Sequence, residues 1–191
     1  QWGIEINFAE QREPNGIAEA FIIGKFFIEN SSVALILGDN IFYGSNLTEH
    51  LRHASTQKEG ACLFVHKVNQ LSKYGVAEFD ADGMILSIEE KPVEPKGDHA
   101  ITGLYFYDSD AYELASSLKK SSRGELEITD LNKLYLKHRQ LKAIELGRGF
   151  NWFDAGTHEN LLAASNFVAM VEERQRVQIG CPEEVAYRKK W

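Results

Sequence analysis

Between Val33 and Leu37 the chain reads VALIL, an apolar run with no polar interruption that stops at Gly38 and Asp39. A run of that length and composition predicts a strand buried on both faces, as inside a parallel sheet. Ahead of it, Ile4, Ile6 and Phe8 alternate with Glu5 and Asn7, which predicts a strand with one buried face. The turn-forming segment QREPNG, residues 11–16, separates that strand from a helix expected over 17–28, where Ile17, Ala20, Phe21, Gly24, Phe27 and Ile28 recur at helical spacing. Strand, turn, helix and buried strand together predict one βαβ unit with a right-handed crossover.

Further along, the pattern predicts a helix over 47–56, a strand over 61–68, and two strands, 73–80 and 84–90, joined by a hairpin through Asp82-Gly83. The second of these ends in Glu89-Glu90-Lys91-Pro92, where proline makes continuation as a central strand unfavourable. A strand over 100–107 contains Gly103, which permits close approach on one face. Asp110 and Glu113 have capping-box spacing ahead of a short amphipathic helix. A helix over 127–138, a strand over 141–146, a glycine- and aromatic-rich loop over 147–157 and a long helix over 157–176 complete the series. The long helix carries an apolar stripe at Leu161, Ala164, Val168 and Val171, expected to pack as core. No repeat is visible, so residues 1–191 are expected to form one α/β domain whose part from about 157 to 191 is helical.

Composition narrows the function classes. In 191 residues, 43 % are hydrophobic and 26 % charged, which suits one globular domain with a sizeable core. The net charge of −7, with the short run Arg188, Lys189, Lys190 as the basic cluster, argues against a nucleic-acid partner. Cys62 and Cys181 lie far apart, and neither a signal peptide nor a long apolar span is present, so a reduced cytoplasmic setting and no membrane contact are expected. The histidines show no metal-ligand spacing. A chain opening on Gln1-Trp2-Gly3 is expected to be the interior of a longer protein.

Candidate chemistry collects at expected strand ends. Asp39 follows a buried strand, the place where ligands gather in open α/β sheets. It reads either as a turn or cap former, with Asn40, or as a ligand to a hard cation. Asp154, in the glycine- and aromatic-rich loop, could share one Mg²⁺ with Asp39, because Mg²⁺ takes one or two carboxylates plus phosphate oxygens and water. Lys91 and Arg123 could hold a phosphate, and Glu90 could accept hydrogen bonds from sugar hydroxyls. Spacing alone does not show that these residues converge.

The segments LGDNIFYG, YGVAEFD, EEKP, TGLYFYD, RGELEITD and WFDAGT occur in that order, and together they resemble the sugar-phosphate nucleotidyltransferases, most nearly the branch that makes dTDP-glucose for dTDP-L-rhamnose synthesis. The resemblance covers the whole chain. It implies a Rossmann-like three-layer α/β nucleotidyltransferase fold around a mixed, mainly parallel sheet, truncated at its N-terminus. It implies dTTP and glucose 1-phosphate as substrates, Mg²⁺ as cofactor on Asp39 and Asp154, and catalytic roles for Asp39, Lys91, Arg123 and Asp154. Gln11, Pro14, Gly16, Ile17 and Asp39 would bind the nucleotide, Gln11 through the thymine edge. Tyr74, Gly75, Glu90, Lys91, Ile101, Tyr105, Arg123 and Trp152 would surround the sugar phosphate. A second, regulatory nucleotide site would match Tyr43, Gly44, Gly147, Arg148, Glu184, Val185 and Arg188, and the assembly would be a homotetramer.

One departure stands out. The family begins with a glycine-rich phosphate loop, G-x-G-T-R-L, followed by a lysine, and neither occurs in this chain. The 191 residues by themselves are therefore expected not to turn over. Three alternatives stay open: a UTP- or CTP-dependent enzyme of the same family, a metal-dependent glycosyltransferase, and a non-catalytic sugar-nucleotide-binding regulatory subunit.

Overall fold

The computed structural model describes residues 4–28 and 30–190. Its elements, in chain order, are α1 (Glu19–Ile23), α2 (Lys25–Ile28), β1 (Val33–Ile36), β2 (Asn40–Tyr43), α3 (Leu47–Ser55), β3 (Ala61–Lys67), β4 (Gly75–Phe79), β5 (Ile85–Glu90), β6 (His99–Tyr107), α4 (Ala111–Ser117), α5 (Ile128–Lys137), β7 (Leu141–Glu145), β8 (Asn151–Asp154), α6 (His158–Gln175) and α7 (Pro182–Lys189).

Six strands form a mixed sheet in the order β5-β4-β6-β3-β7, with β1 beside β6. β6 runs against β1, β3 and β4, while β3 and β7 are parallel. Four of the six strands therefore share one direction, yet β3·β7 is the parallel ladder among the described residues, because β6 lies between the others. The sheet centre is β6, which pairs with β1, β3 and β4, and beside it lies β3, whose ACLFV run is buried throughout. Ala61, Leu63 and Val65 join a cluster with Phe21, Ala111, Ala115, Leu131 and Tyr135 from α1, α4 and α5. Cys62 and Phe64 point the other way, toward Ala54 of α3, Leu104 and Leu146. The alternation of side chains along one strand thus builds two cores and three layers.

Several expectations change. The strands buried on both faces are β3 and β6. β1 is half-buried, because among the described residues its ladder is the one to β6. Residues 4–10 form no strand; Ile6 and Phe8 are 65 % and 94 % exposed, and alternation without a pairing neighbour does not hold a strand. The βαβ unit is accordingly absent from the described residues. The helix expected over 17–28 breaks at Gly24 into α1 and α2. Asp110 makes no capping bond to α4; Asp108 instead accepts the Asp110 amide at 3.1 Å. On α6, Ala164 and Val171 are buried but Leu161 is 51 % exposed, so the stripe packs only in part. Its start is as expected, with the Thr157 hydroxyl accepting the Asn160 amide at 3.2 Å.

Two four-residue strands were not expected. β2 and β8 pair antiparallel into a separate ribbon, with Asn40 opposite Asp154 and Tyr43 opposite Asn151. This ribbon places the loop after β1 against the glycine-rich segment more than a hundred residues later.

Candidate active site

Pairing of Asn40 with Asp154 carries Asp39 to the same end of the ribbon, where the Ala155 amide donates to the Asp39 carbonyl at 2.8 Å. Beyond it the chain turns through Gly156. Oδ2 of Asp39 and Oδ1 of Asp154 each lie 3.1 Å from the point where a Cβ on Gly156 would sit, so they are no farther apart than twice that distance. Two carboxylate oxygens so placed, with open space at a glycine between them, fit a hard divalent cation that completes its shell with water and phosphate oxygens.

Both aspartates open into a cavity of about 270 Å³. The start of β4 contributes Tyr74 and Gly75, and the end of β5 contributes Glu90 and Lys91. β6 supplies Ile101 and Tyr105 to the floor, the loop before α5 supplies Arg123, and β8 supplies Trp152. Ile17 stands at the rim, 37 % exposed. The Tyr74 and Trp152 rings meet with centroids 4.9 Å apart, a tilted aromatic pair that forms one wall. Burial, and secondarily the negative charge of Asp154, raises the Tyr74 hydroxyl above its ordinary value.

Backbone conformation sets Lys91. Its φ of 44° lies in the left-handed region, and its amide donates to the Tyr74 carbonyl at 3.0 Å. A non-glycine residue in that region costs of order 1–3 kcal/mol and persists where surrounding contacts over-determine it. Here the β4·β5 ladder ends and the side chain turns toward the cavity.

Gln11, Pro14 and Gly16 do not line this cavity. Gln11 is exposed, and its amide donates to the Gly16 carbonyl at 3.0 Å and to Glu19 at 2.6 Å. Gly16, at φ 102°, packs directly on the Leu126 backbone. The turn at 14–17 therefore joins the loop that carries Arg123, through Leu126 N–H to Asn15 O at 2.6 Å and Ala18 N–H to Leu126 O at 3.2 Å.

The comparisons with known proteins bear on this arrangement. The nucleotidyl transferase family model matches residues 1–170. The chain belongs to the nucleotidyl transferase family. It is 48 % identical over 191 residues to the glucose-1-phosphate thymidylyltransferase of Xanthomonas campestris pv. campestris (strain B100), covering all of this chain and 65 % of that protein. It is 51 % identical over 190 residues to the enzyme of the same name from Neisseria meningitidis serogroup A, covering 100 % of this chain and 66 % of that one. The chain thus spans about two thirds of the length of these curated relatives. A Bacillus anthracis crystal structure, provisionally titled a glucose-1-phosphate thymidylyltransferase and holding a sucrose, superposes with a TM-score of 0.77 at 39 % identity, covering 87 % of this chain and 66 % of that one. A UDP-glucose pyrophosphorylase bound to UDP-glucose shares the fold, with a TM-score of 0.70 at 24 % identity over 86 % of this chain and 65 % of that one.

Within this candidate site, hydrogen bonding singles out residues that motif reading passed over. Asn40 accepts the Trp152 indole N–H at 2.6 Å and the Gly103 amide at 3.0 Å, while its own amide donates to Asp39 at 2.8 Å. It is a hub for three strands, and not only a turn former. Thr129 donates its hydroxyl to Glu90, and Glu127 grips Arg123 with both oxygens, at 3.0 and 2.7 Å. The spacing RGELEIT carries a faint signal of this, since Arg123 and Glu127 are four residues apart, but the intervening chain is a loop and not a helix.

The positions matched to a regulatory site divide. Tyr43, Glu184, Val185 and Arg188 line a separate surface cavity of about 630 Å³ between β2 and the α6–α7 connection, whereas Gly44, Gly147 and Arg148 do not. Arg188 pairs with Glu184 at 2.7 Å, and Tyr43 donates its hydroxyl to Gln175. Gly44 packs against the Phe150 ring.

Proposed function

We propose that this chain forms the sugar-phosphate and metal-binding part of an enzyme that transfers a thymidylyl group from dTTP to glucose 1-phosphate, giving dTDP-glucose and pyrophosphate, the first step of dTDP-L-rhamnose synthesis. The observation that supports this most is the meeting of Asp39 and Asp154 at Gly156, on the rim of a cavity that also holds Lys91, Arg123 and the Tyr74–Trp152 wall. The relatives described above carry the thymidylyltransferase name at about half identity.

In this reaction a phosphate oxygen of glucose 1-phosphate attacks the α-phosphorus of dTTP in line, and pyrophosphate leaves. Such a transfer asks for alignment and charge neutralisation, and for no protein nucleophile. Asp39 and Asp154 would hold Mg²⁺, which when bound neutralises phosphate charge as a Lewis acid. Lys91 and Arg123 place cationic donors for the sugar phosphate. Glu90, held by Thr129, offers an oriented acceptor to a sugar hydroxyl. Ile17 and the turn at 14–17 border the side from which a nucleotide base would enter, with Gly16 in that turn and Gln11 hydrogen-bonded to it. The cavity near α7 would hold a second, regulatory nucleotide, and a homotetramer is the expected assembly. A reduced cytoplasmic setting is the expected one; no described helix is long and apolar enough to cross a membrane.

The test has two arms. Calorimetric titration of this chain with glucose 1-phosphate and Mg²⁺ should show saturable binding. On the complete open reading frame that encodes it, pyrophosphate release should require glucose 1-phosphate and be faster with dTTP than with UTP, CTP or ATP. Equal rates with UTP would replace the thymidylyl assignment, and release without any sugar phosphate would remove the transferase assignment altogether.

A further inference from the structure

Carboxylates crowd the cavity. Asp39, Glu90, Glu125, Glu127 and Asp154 line it against Lys73, Lys91 and Arg123, so even with Asp39 and Asp154 committed to a divalent cation a phosphate dianion meets as many carboxylates as cationic side chains. Under those conditions the exact placement of each cation matters more than its presence. Arg123 lies within ion-pair distance of three carboxylates: Glu127 at 2.7 Å, Glu90 at 3.4 Å and Glu125 at 3.7 Å. Of these, Glu127 alone is deeply buried, with its side chain 9 % exposed, and it binds the Nε and Nη2 edge of the guanidinium. Among the described residues, the side-chain hydrogen bonds of Arg123 are made by Nε and Nη2, and none by Nη1.

We propose that Glu127 is a positioning residue, whose buried carboxylate holds one edge of Arg123 so that Nη1 is presented to the phosphate of the sugar-phosphate substrate. Glu127 is itself fixed by the Ser121 hydroxyl at 2.7 Å, and Ser121 also accepts the Arg123 amide at 3.2 Å. The loop is closed by Ser121 N–H to Glu125 O at 2.8 Å and anchored to the 14–17 turn through Leu126. A planar guanidinium gripped along one edge retains two donors in a known plane, which a lysine or an untethered arginine does not offer. Without Glu127, the same cation has Glu90 and Glu125 within reach and folds back onto them, away from the incoming anion. This inference rests on the sugar-phosphate reading of the cavity.

Calorimetry on the whole chain tests it with glucose 1-phosphate and, as the phosphate-free control, methyl α-glucoside. Glu127→Gln should weaken glucose 1-phosphate at least about tenfold and leave the glucoside unchanged, since an interaction lost from an aligned charged pair acts on the phosphate alone. In an Arg123→Ala background, Glu127→Gln should cause no further loss. Binding of glucose 1-phosphate by Glu127→Gln at wild-type strength, or additive losses in the double variant, would overturn the positioning role. If Glu127→Gln does not fold, as judged by circular dichroism, Ser121→Ala decides: it loosens Glu127 without altering charge, and an unchanged phosphate affinity refutes the proposal. A wild-type chain that binds glucoside and glucose 1-phosphate alike sinks the sugar-phosphate reading itself, and this inference with it.

Discussion

Gly103 leaves the room that Asn40 occupies: a Cβ at position 103 would sit 2.6 Å from both Cγ and Oδ1 of the Asn40 side chain. Real Cβ atoms do not approach that closely, so Gly103→Ala must displace Asn40. The indole N–H of Trp152 and the amide of residue 103 would then lose their acceptor. Leaving such groups unsatisfied costs about 1–3 kcal/mol each where they are buried. Urea unfolding of Gly103→Ala should therefore show a loss of about 2 kcal/mol, and Asn40→Ala a similar one. A midpoint equal to wild type would show that Asn40 moves at no cost.

Gly156 stands between the two candidate metal ligands in the same sense. In Gly156→Ala the new methyl would lie 3.1 Å from Asp39 Oδ2 and from Asp154 Oδ1, tighter than most Cβ contacts but short of a collision. The carboxylates should spread by a few tenths of an ångström, a distance that matters to a cation demanding near-ideal octahedral geometry at about 2.0–2.1 Å. Mg²⁺ affinity measured by calorimetry should fall several-fold with little change in melting temperature. Asp154→Asn should fall further, again with the fold intact. Undiminished Mg²⁺ binding in both would remove the pair as its ligands.

How far the sequence discloses this site depends on what kind of relation is involved. Asp39, Glu90, Lys91, Arg123, Trp152 and Asp154 stand out because each lies at a strand end or in an ordered motif, and the fold gathers them round one cavity. Asn40, Thr129 and Glu127 act through partners distant in sequence or across a loop, and no local pattern marks them. The β2·β8 ribbon was illegible for a similar reason. NIFY and NWFD are four residues each, without a clean alternation, and they form strands because each has the other. β3 was legible as a strand but not as one buried on both faces, since a fully apolar run of five occurs in both VALIL and ACLFV. Burial on both faces follows from neighbours, and β1 has a described neighbour on one edge alone.

Gly16 links the two candidate substrate regions. Its φ of 102° is rarely adopted by residues with a side chain, and a Cβ would collide with the backbone of Leu126. Gly16→Ala is expected to destabilise the chain by about 2 kcal/mol or more, through strain and through loss of the Asn15–Leu126–Ala18 hydrogen bonds. Because that contact anchors the Arg123 loop, hydrogen exchange should speed up at Leu126 and Ala18 together. Faster exchange confined to residue 16 would show that the turn and the loop are independent.

Alkaline pH should unfold the chain through groups in its core. Burial raises the Cys62 thiol from 9.0 to about 11, with Lys142 opposing weakly. Burial likewise raises the hydroxyls of Tyr105, Tyr107 and Tyr135, the last with help from its hydrogen bond to Asp108. Each group is held neutral in the folded state more firmly than in the unfolded chain. The unfolded state therefore releases protons first, and the stability these groups contribute is complete below the unfolded values and lost as pH rises beyond them. Melting temperature should be level near pH 8 and fall from about pH 9 upward, the thiol contributing before the phenols. Cys62→Ala should flatten the first part of that fall. At pH 8 the same logic keeps Cys62 protonated, so a disulfide reagent should titrate Cys181 quickly and Cys62 only after denaturation. Two thiols reacting at one rate in the native chain would contradict the burial on which the alkaline transition depends.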